Sequence, residues 1–323
     1  MIGNLQILRA YAASGVVIYH CNAWIAGIHT EFYGVALFFV LSGYIMCKLR
    51  NRSARDFARD RVWRIAPNYW LATVVMFTLL HMWTWWPVEH TVLSFLFVPH
   101  DSPAGLYPVL GVGWTLNLEM YFYGLFTLSI LINRRFAPLI AGALILSMKY
   151  GLPYVTDNKA FLFYYTHDYV NSFVYGIAIW YATEWIKEAN LRLPSWTFPV
   201  ALAAYSLMVI FNVAAPHYLV PALFALTVLA SNGGADLAPY PLVLMGNASY
   251  ACYLLHTILI EVLRRIGLSV DSGTAAMTIS ILMAAWGLAI AWHLTIERAV
   301  SRLSKSRRNV PPGPGQPKTA AVS

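Results

Sequence analysis

The chain has 323 residues, of which 59% are hydrophobic and only 11% are charged. A soluble domain carries about a quarter charged residues, so this composition excludes an ordinary soluble protein and indicates that most of the chain lies in lipid. The net charge of +8 does not indicate a nucleic-acid partner, because the basic residues cluster at the ends of apolar segments, where they set membrane topology.

The apolar segments predict an all-α fold, a polytopic integral-membrane bundle of about ten transmembrane helices. The predicted spans are residues 10–28, 33–49, 67–83, 114–132, 136–150, 169–186, 196–213, 217–231, 243–262 and 275–296. We expect no cleavable signal, because the first segment is too long and carries polar residues. Residues 1–305 are predicted to form one transmembrane domain, and residues 306–323 a disordered cytoplasmic tail that includes a Pro- and Gly-rich run.

The first apolar segment, Ile7 to Ile28, carries Arg9 at its start and His20 near its middle. The two residues are eleven positions apart, which is three turns plus about 20°, so they share one helix face about 16 Å apart. An ionisable residue inside a span is costly in lipid and is a functional hypothesis by default. The alternative is a histidine that only hydrogen-bonds to a neighbouring helix.

The connection after the second span is strongly basic and sets the predicted orientation. Its basic residues are Lys48, Arg50, Arg52, Arg55, Arg59, Arg61 and Arg64, against only Asp56 and Asp60. By the positive-inside rule this loop is cytoplasmic, and both termini are therefore expected in the cytoplasm. Arg264 and Arg265 depart from the rule, because the predicted count places them outside. Either they bind something there, or a span between residues 217 and 262 is miscounted.

Arg61 and Arg64 lie three residues apart just before Pro67 and share a helix face at the cytoplasmic boundary. Guanidinium groups bind phosphate through forked hydrogen bonds, so a paired face suits a phosphate-rich ligand. The alternative is that the pair only anchors the topology.

The connection from Pro87 to Gly113 is the longest, and the predicted topology places it outside. It is rich in Pro and Gly and is interpreted as a loop that covers an opening in the bundle. Trp83, Trp85 and Trp86 precede it, where an interfacial aromatic belt would end the third span.

Glu119 lies inside the fourth predicted span, where a carboxylate must be paired, protonated or in a water-filled cavity. Tyr123 follows it by four residues and lies on the same helix face. Asn117 and Tyr121 have the same spacing, so two polar ridges are predicted on this helix. From their depths in a hydrocarbon core about 30 Å thick, we expect Glu119 and His20 to meet across a shared cavity. A purely structural glutamate is the alternative.

A slanted polar and aromatic row is predicted in the ninth span, where Tyr250, Tyr253 and His256 recur at three-residue steps. At the end of the last span Glu297 stands beside Arg298, and we interpret this pair as an interfacial ion pair. The nine histidines form no HExxH pattern and the three cysteines no CxxC pattern, so no metal site is predicted.

A buried histidine, a candidate carboxylate partner and a group of cytoplasmic arginines suit acyl transfer. In such a reaction a base removes a proton from a hydroxyl, which attacks a thioester whose carrier is a phosphorylated nucleotide. Imidazole suits the role of base, because its ordinary pKa lies near neutral pH. A proton-coupled transporter or flippase of a polysaccharide precursor would also bury His and Glu, although the chain has no evident inverted repeat. A scaffold subunit of a polysaccharide synthase would leave the buried charges unexplained.

Five motifs resemble, in order, those of the membrane-bound acyltransferase-3 family, the bacterial enzymes that O-acetylate cell-surface sugars. They are Leu8 to Ala10 with His20, the FFVLSGY stretch from Phe38 to Tyr44, the RxxRIxPxYW-like stretch from Arg61 to Trp70, the W(S/T)LxxE pattern from Trp114 to Glu119, and the SYxxYLLH pattern from Ser249 to His256. The resemblance covers about residues 5 to 300. Asn117 and Met120 depart from it, since the family usually has a small hydroxyl residue and a second acidic residue at these positions.

The resemblance implies an O-acyltransferase of the bacterial inner membrane. The expected reaction moves an acyl group, in this family usually acetyl, from acyl-CoA to a sugar hydroxyl of an exopolysaccharide, a lipopolysaccharide or a lipid-linked precursor. The expected partners are acyl-CoA, a carbohydrate acceptor, the lipid bilayer and the polysaccharide biosynthesis machinery, with no nucleic acid and no metal. The size and single domain look most like the exopolysaccharide-modifying members.

The resemblance also carries roles to individual residues. The essential histidine of the family corresponds to His20 and its buried glutamate to Glu119, so these two are the predicted catalytic residues. Arg9, Arg61 and Arg64 are predicted to bind the donor. The residues predicted to bind substrate are Trp114, Asn117, Tyr121, Tyr253 and His256.

Overall fold

The computed structural model describes residues 3–21, 24–25, 28–29, 34–81, 86–102, 105–189, 193–211, 216–232, 238–268, 270 and 274–306. Within these residues the chain is helical apart from short turns and one antiparallel pair of two-residue strands, β1 (Trp24–Ile25) and β2 (Ile28–His29). The predicted tail, residues 306–323, lies outside the described residues except for Ser306.

The helices of the described residues follow one another in this order: α1 (Gly3–His20), α2 (Gly34–Lys48), α3 (Ala54–His81), α4 (Val88–Phe95), α5 (Gly113–Ile132), α6 (Ala137–Gly151), α7 (Lys159–Tyr165), α8 (Val170–Glu188), α9 (Thr197–Ile210), α10 (Pro216–Asn232), α11 (Tyr240–Arg265), α12 (Ala275–Trp292) and α13 (Arg298–Ser306). A 3₁₀ turn, Leu152–Tyr154, follows α6, and a π-helical turn, His293–Glu297, joins α12 to α13. Each of the ten predicted spans overlaps one of these helices.

Three helices are long and apolar enough to cross a membrane by length and composition: Gly113–Ile132, Tyr240–Arg265 and Ala275–Leu303. Three shorter apolar helices, Gly34–Lys48, Thr197–Ile210 and Leu219–Ala230, accompany them. The all-α class is thus confirmed, whereas a total of about ten spans stays a prediction.

Helix α1 ends at His20, well before the predicted end of the first span at Ile28. Asn22 and Gly27 interrupt the apolar run, and both residue types have low helix propensity. His20 is therefore a helix-terminal residue and does not lie in the middle of a span. Arg9 keeps its predicted place within α1.

Helix α2 packs antiparallel to α1. Gly34 is so close to α1 that a Cβ at this position would lie 2.3 Å from the Ala12 carbonyl oxygen and 2.9 Å from Val16. Towards the other end of the helix pair, Leu41 and Leu8 line a common small cavity. This register fixes the relative heights of the polar residues on both helices.

Helix α11 runs parallel to α1. Gly246 faces Gln6, where an added Cβ would lie 2.3 Å from the backbone oxygen, and His256 contacts His20 further along both helices. The far end of α11 carries Arg264 and Arg265, which pair with Glu261 at 3.2 and 2.6 Å. This local pairing accounts for two arginines at the end of the bundle where His20 lies.

The connection predicted as a loop over Pro87 to Gly113 contains α4. In it the His90 Nδ1 and His100 Nε2 atoms lie 2.8 Å apart, and the Trp86 ring stacks on His90 with centroids 4.7 Å apart. Burial and the neighbouring His100 lower the pKa of His90 to about 4, so this imidazole is neutral at neutral pH. Trp83 and Trp85 lie outside the described residues.

Helix α2 also packs closely against α8. A Cβ at Gly176 would lie 2.1 Å from the Val40 carbonyl oxygen, and one at Gly43 would lie 2.2 Å from the Phe173 carbonyl oxygen. Small residues allow such backbone approach between helices in lipid. The Phe39 and Phe173 rings stack beside them with centroids 4.4 Å apart.

We predict that Gly176→Ala destabilises the protein by about 1–3 kcal/mol, because the added methyl group meets backbone that cannot move aside. Thermal unfolding of the purified protein in lipid nanodiscs measures this as a lower Tm. Gly124→Ala is the matched control, since nothing lies within 4 Å of a Cβ there. Equal melting temperatures for the two variants would contradict the close packing of α2 and α8.

Candidate functional site

A cavity of ≈ 280 Å³ lies among α1, α2, α3, α5 and α11. Apolar side chains form most of its wall, and the FFVLSGY stretch of α2 supplies Phe38, Phe39, Leu41 and Ser42. Its polar lining is Arg9, Ser42, Arg61, Arg64, Thr115, Glu119, Tyr123, Tyr250 and Tyr253. All five sequence motifs thus supply residues to the lining of one cavity, and His20 of the first motif contacts His256 of the fifth.

Glu119 is 8% exposed and is surrounded by donors. The Ser42 hydroxyl donates to its Oε1 at 2.5 Å, and the Tyr123 hydroxyl also bonds to it. Arg61 lies over the Tyr123 ring at 5.8 Å from the centroid, and Arg61 and Arg64 line the same cavity as Glu119. A carboxylate with such partners is compatible with burial in a membrane bundle.

Arg9 is 7% exposed and lies in the same cluster. Two carboxylates, Glu119 and Glu297, are close enough to stabilise its charge, while Arg64 opposes it. The Gln6 Oε1 atom accepts from its guanidinium at 3.5 Å. We refer to Arg9, Arg61 and Arg64 below as the arginine cluster.

His20 and His256 form a second polar group. The His256 Nε2 and His20 Nδ1 atoms lie 3.2 Å apart, and His256 is fully buried. His256 Nδ1 is 3.1 Å from the Cys252 carbonyl oxygen, and His20 Nδ1 is 2.9 Å from the Val16 carbonyl oxygen. Because a carbonyl only accepts, both Nδ1 atoms carry hydrogen, and the His20 Nε2 atom is left with its lone pair.

The structure does not bring Glu119 and His20 together as predicted. Glu119 bonds to Ser42, which follows Leu41 and therefore lies at the height of Leu8 on α1. His20 is twelve residues beyond Leu8, about 18 Å along the helix axis. The prediction failed because it placed the two depths from opposite membrane faces, and the α1–α2 register shows that Glu119 lies at the level of the arginine cluster.

Two hydroxyls stand between the cavity and the histidine pair. The Thr115 Oγ1 and Tyr253 hydroxyl atoms lie 2.6 Å apart, and Tyr253 also donates to the Val112 carbonyl oxygen at 3.1 Å. The Tyr253 ring lines the cavity and lies 6.0 Å from the His256 ring, centroid to centroid. Tyr253 thus neighbours both the cavity that the arginine cluster lines and His256, which contacts His20.

Asn117 and Tyr121, which the sequence also predicts to bind substrate, lie on a different face of α5 from Glu119. Tyr121 packs on Tyr165 with ring centroids 4.5 Å apart, and Asn117 is buried beside Tyr164. Neither residue is among those that line the apolar cavity. The two predicted ridges of α5 are therefore present and separated, because Glu119 and Tyr123 face the cavity and the other pair faces α7.

Trp114 belongs to an aromatic cluster above the cavity. Its ring lies 5.0 Å from His167, 6.0 Å from Phe163 and 6.0 Å from Tyr169, and Tyr107 completes the group at 6.4 Å. Trp114 is adjacent in sequence to Thr115, which lines the cavity. This cluster offers flat apolar faces next to the end of the cavity nearest His256.

A second cavity of ≈ 510 Å³ adjoins the first. It shares Arg9, Arg61, Arg64 and Tyr250 with the first, and its remaining lining is mostly polar. Glu297 lies here and pairs with His293 at 2.5 Å. Among the described residues Glu297 does not lie within 4 Å of Arg298, so the predicted ion pair of these neighbours is wrong. Side chains four positions apart meet on one helix face, whereas adjacent side chains point in different directions.

Sequence reasoning missed Ser42 and Thr115 as site residues, since single hydroxyls in apolar segments are common. The i,i+4 spacing of His293 and Glu297 was a usable signal for their pairing. In the described part of the chain no group of three or more His, Cys, Asp or Glu side chains could hold a metal ion.

Apolar helices around an arginine-lined cavity, with a histidine pair next to Tyr253, define a helical bundle with the composition of a membrane protein. A family model described as an acyltransferase domain matches residues 2–296. The chain belongs to this acyltransferase-3 family, as its ordered motifs predicted. It is an O-acetyltransferase enzyme, and family membership favours this assignment over the transporter alternative.

Similar proteins include the exopolysaccharide production protein ExoZ of Rhizobium meliloti (strain 1021), 32% identical over 295 residues, which cover 85% of this chain and 91% of ExoZ. The O-acetyltransferase OatA of Staphylococcus aureus (strain NCTC 8325 / PS 47) is 23% identical over 308 residues, which cover 78% of this chain and 49% of OatA. This chain thus spans about half of OatA. No solved structure matches it.

The contact between Ser42 and Glu119 predicts non-additive stability effects. Ser42→Ala removes the donor of this hydrogen bond and Glu119→Ala removes its acceptor, so the double variant should lose about 1–3 kcal/mol less than the sum of the single losses. Unfolding free energies of the four proteins, measured by denaturant titration in one detergent, give the coupling. Additive losses would show that the two side chains do not interact.

Proposed function

We propose that this enzyme transfers an acetyl group from acetyl-CoA to a sugar hydroxyl of an exopolysaccharide or its lipid-linked precursor. One observation carries the proposal: the arginine cluster and Tyr253 line the same cavity, and the Tyr253 ring lies 6.0 Å from that of His256. A donor with a phosphorylated end and a thin thioester arm fits that order of groups. The similarity to ExoZ, whose name refers to exopolysaccharide production, supports the acceptor class.

The donor is proposed to enter with its phosphates at the arginine cluster. Arg61 and Arg64 have no carboxylate within 4 Å in the described part of the chain. Arg61 bonds to the neutral Tyr123 hydroxyl, and the remaining guanidinium donors of the pair are proposed to form forked bonds to phosphate. The uncharged arm then lies along the apolar wall formed by Phe38, Leu41 and Ile45. An apolar cavity with few polar groups is typical of sites that bind such arms.

His20 is proposed as the general base. Its Nε2 lone pair removes the proton of the acceptor hydroxyl, whose oxygen attacks the thioester carbonyl while the thiolate leaves. His256 is proposed to position His20, because its Nε2 atom is a second acceptor, beside the Val16 carbonyl oxygen, for the single Nδ1 hydrogen of His20 and so helps to hold the ring. Both ring nitrogens of His256 are engaged within the protein, which favours this role over the direct substrate contact predicted from the sequence.

Glu119 is proposed to act on the donor side of the reaction. It cannot orient His20 directly from the height of the arginine cluster. Its charge instead balances part of the positive charge of Arg9, Arg61 and Arg64 when no donor is bound. Phosphate replaces that balance on binding, so Glu119 holds the guanidinium groups in place between turnovers.

The acceptor is proposed to bind on the side of Trp114. Sugar rings pack on flat aromatic faces, and the Trp114 cluster lies beside the Thr115–Tyr253 hydroxyl pair. Tyr253 is proposed to contact the bound substrates, since it lines the cavity and neighbours His256. Asn117 and Tyr121 are proposed to shape this side of α5 by supporting α7.

We also propose the topology that the sequence predicts. About ten spans in residues 1–305, with both termini cytoplasmic in a bacterial inner membrane, place the basic end of α3 at the cytoplasm, where acyl-CoA is made. Helix α1 corresponds to the first predicted span and α11 to the ninth, and two odd-numbered spans cross the membrane in the same direction. The parallel course of α1 and α11 supports this numbering. Association with polysaccharide biosynthesis machinery belongs to the same proposal.

We predict that His20→Ala lowers acyl transfer by about 10²- to 10⁴-fold while donor binding is retained, because a general base contributes on this scale. Purified protein in lipid, labelled acetyl-CoA and an acceptor glycan provide the assay. The matched variant is His256→Gln, whose side-chain oxygen can still accept from His20 Nδ1 and should retain more activity than His256→Ala. Near-normal transfer by His20→Ala would refute the assignment of the base.

We predict that the double variant Arg61→Ala/Arg64→Ala weakens binding of a non-hydrolysable acetyl-CoA analogue by at least about 10-fold, because two charge-assisted contacts to phosphate are lost. Titration calorimetry measures the affinity. Arg55→Ala/Arg59→Ala is the matched control, with the same change in charge on the same helix and no place in either cavity. Equal affinities for the two double variants would leave Arg61 and Arg64 as topology anchors only.

A further inference from the structure

The polar cavity beside the arginine cluster has its own set of side chains. It is lined by residues from the start of α3, from α11 and from the segment that leaves α12, including Arg52, Trp63, Asn247 and Arg298. Its ≈ 510 Å³ exceeds the ≈ 280 Å³ of the apolar cavity. Since the arginine cluster lines both cavities, one elongated ligand can occupy them at the same time.

The charges around the polar cavity leave a positive excess. Five arginines line it, namely Arg9, Arg52, Arg61, Arg64 and Arg298, against Asp60 and Glu297. Both acidic groups already have side-chain partners, Asp60 in Arg52 and Glu297 in His293. In the described residues no carboxylate lies within 4 Å of Arg298. This excess fits a ligand with several negative charges.

Arg298 is brought to the cavity by an irregular piece of helix. The π-helical turn His293–Glu297 widens the backbone between α12 and α13, and such turns are frequent at functional sites. The turn places His293, Glu297 and Arg298 together on the lining of one cavity.

We propose that the polar cavity binds the phosphorylated nucleotide end of the donor, and that Arg298 is a phosphate-binding residue of this site. Trp63 offers an aromatic face for a purine ring, and the amide of Asn247 can bond to polar base edges. The inference rests on the proposed use of acyl-CoA, and it adds the C-terminal end of the bundle to the donor site. Arg9, Arg61 and Arg64 then mark the point where the charged part of the donor ends.

The test measures binding of adenosine 3′,5′-bisphosphate, the nucleotide end without the arm, to the full chain in nanodiscs of neutral lipid. Arg298→Ala is expected to weaken binding by about 10- to 100-fold, as for loss of one charge-assisted contact. Arg302→Ala is the matched control, because it lies one turn further along α13, is exposed and lines neither cavity. Arg298→Lys should retain part of the affinity, and melting curves of each variant establish that it is folded.

Equal affinity of wild type and Arg298→Ala would overturn the site, as would equal losses in Arg298→Ala and Arg302→Ala, which indicate only general surface charge. Anionic lipid offers the same phosphate chemistry. Competition of the nucleotide by vesicles with anionic lipid, but not by neutral vesicles, would assign the cavity to lipid headgroups and overturn the proposal. Nucleotide binding that needs Arg298, without any transfer from acetyl-CoA, would support this site while refuting the proposed function.

Discussion

Burial of positive charge is the constraint on which this structure depends. Three arginines lie inside or at the edge of a bundle whose walls are apolar, and a guanidinium group in hydrocarbon must be paired or hydrated. Glu119 and Glu297 provide the compensating charge, and Ser42 and Tyr123 hold Glu119 in turn. The helices α1, α2, α3 and α5 are therefore tied to one another through a polar core as well as through apolar packing.

Close helix packing gives this polar core its geometry. Glycines at positions 34, 43, 176 and 246 let backbones approach so closely that any side chain there would clash. The approach fixes α2 against α1 and α8, and α11 against α1. As a result, the arginine cluster and the histidine pair lie at two different heights of one bundle. The apolar cavity extends from the arginine cluster towards the histidine pair.

The separation of the two polar groups suits a two-substrate reaction. The donor can be held by its charged end at a distance from the reacting carbonyl, and the acceptor can approach from the side of His20 and Trp114. Tyr253 and Thr115 stand where the two approaches meet. In the proposed reaction, such an arrangement keeps a water-soluble donor and a glycan acceptor on different sides of the site.

The sequence by itself determined the helical class, the places of the helices and the family, because apolar periodicity, charge placement and motif order are local properties of the chain. The predictions of the end of α1, of a pairing between Glu119 and His20, and of an ion pair between Glu297 and Arg298 were wrong. Only the tertiary structure decided that Glu119 joins Arg9, Arg61 and Arg64, and that His256 holds His20. The reason is physical: which polar groups meet depends on the relative heights and rotations of packed helices, and glycine contacts between distant segments set these.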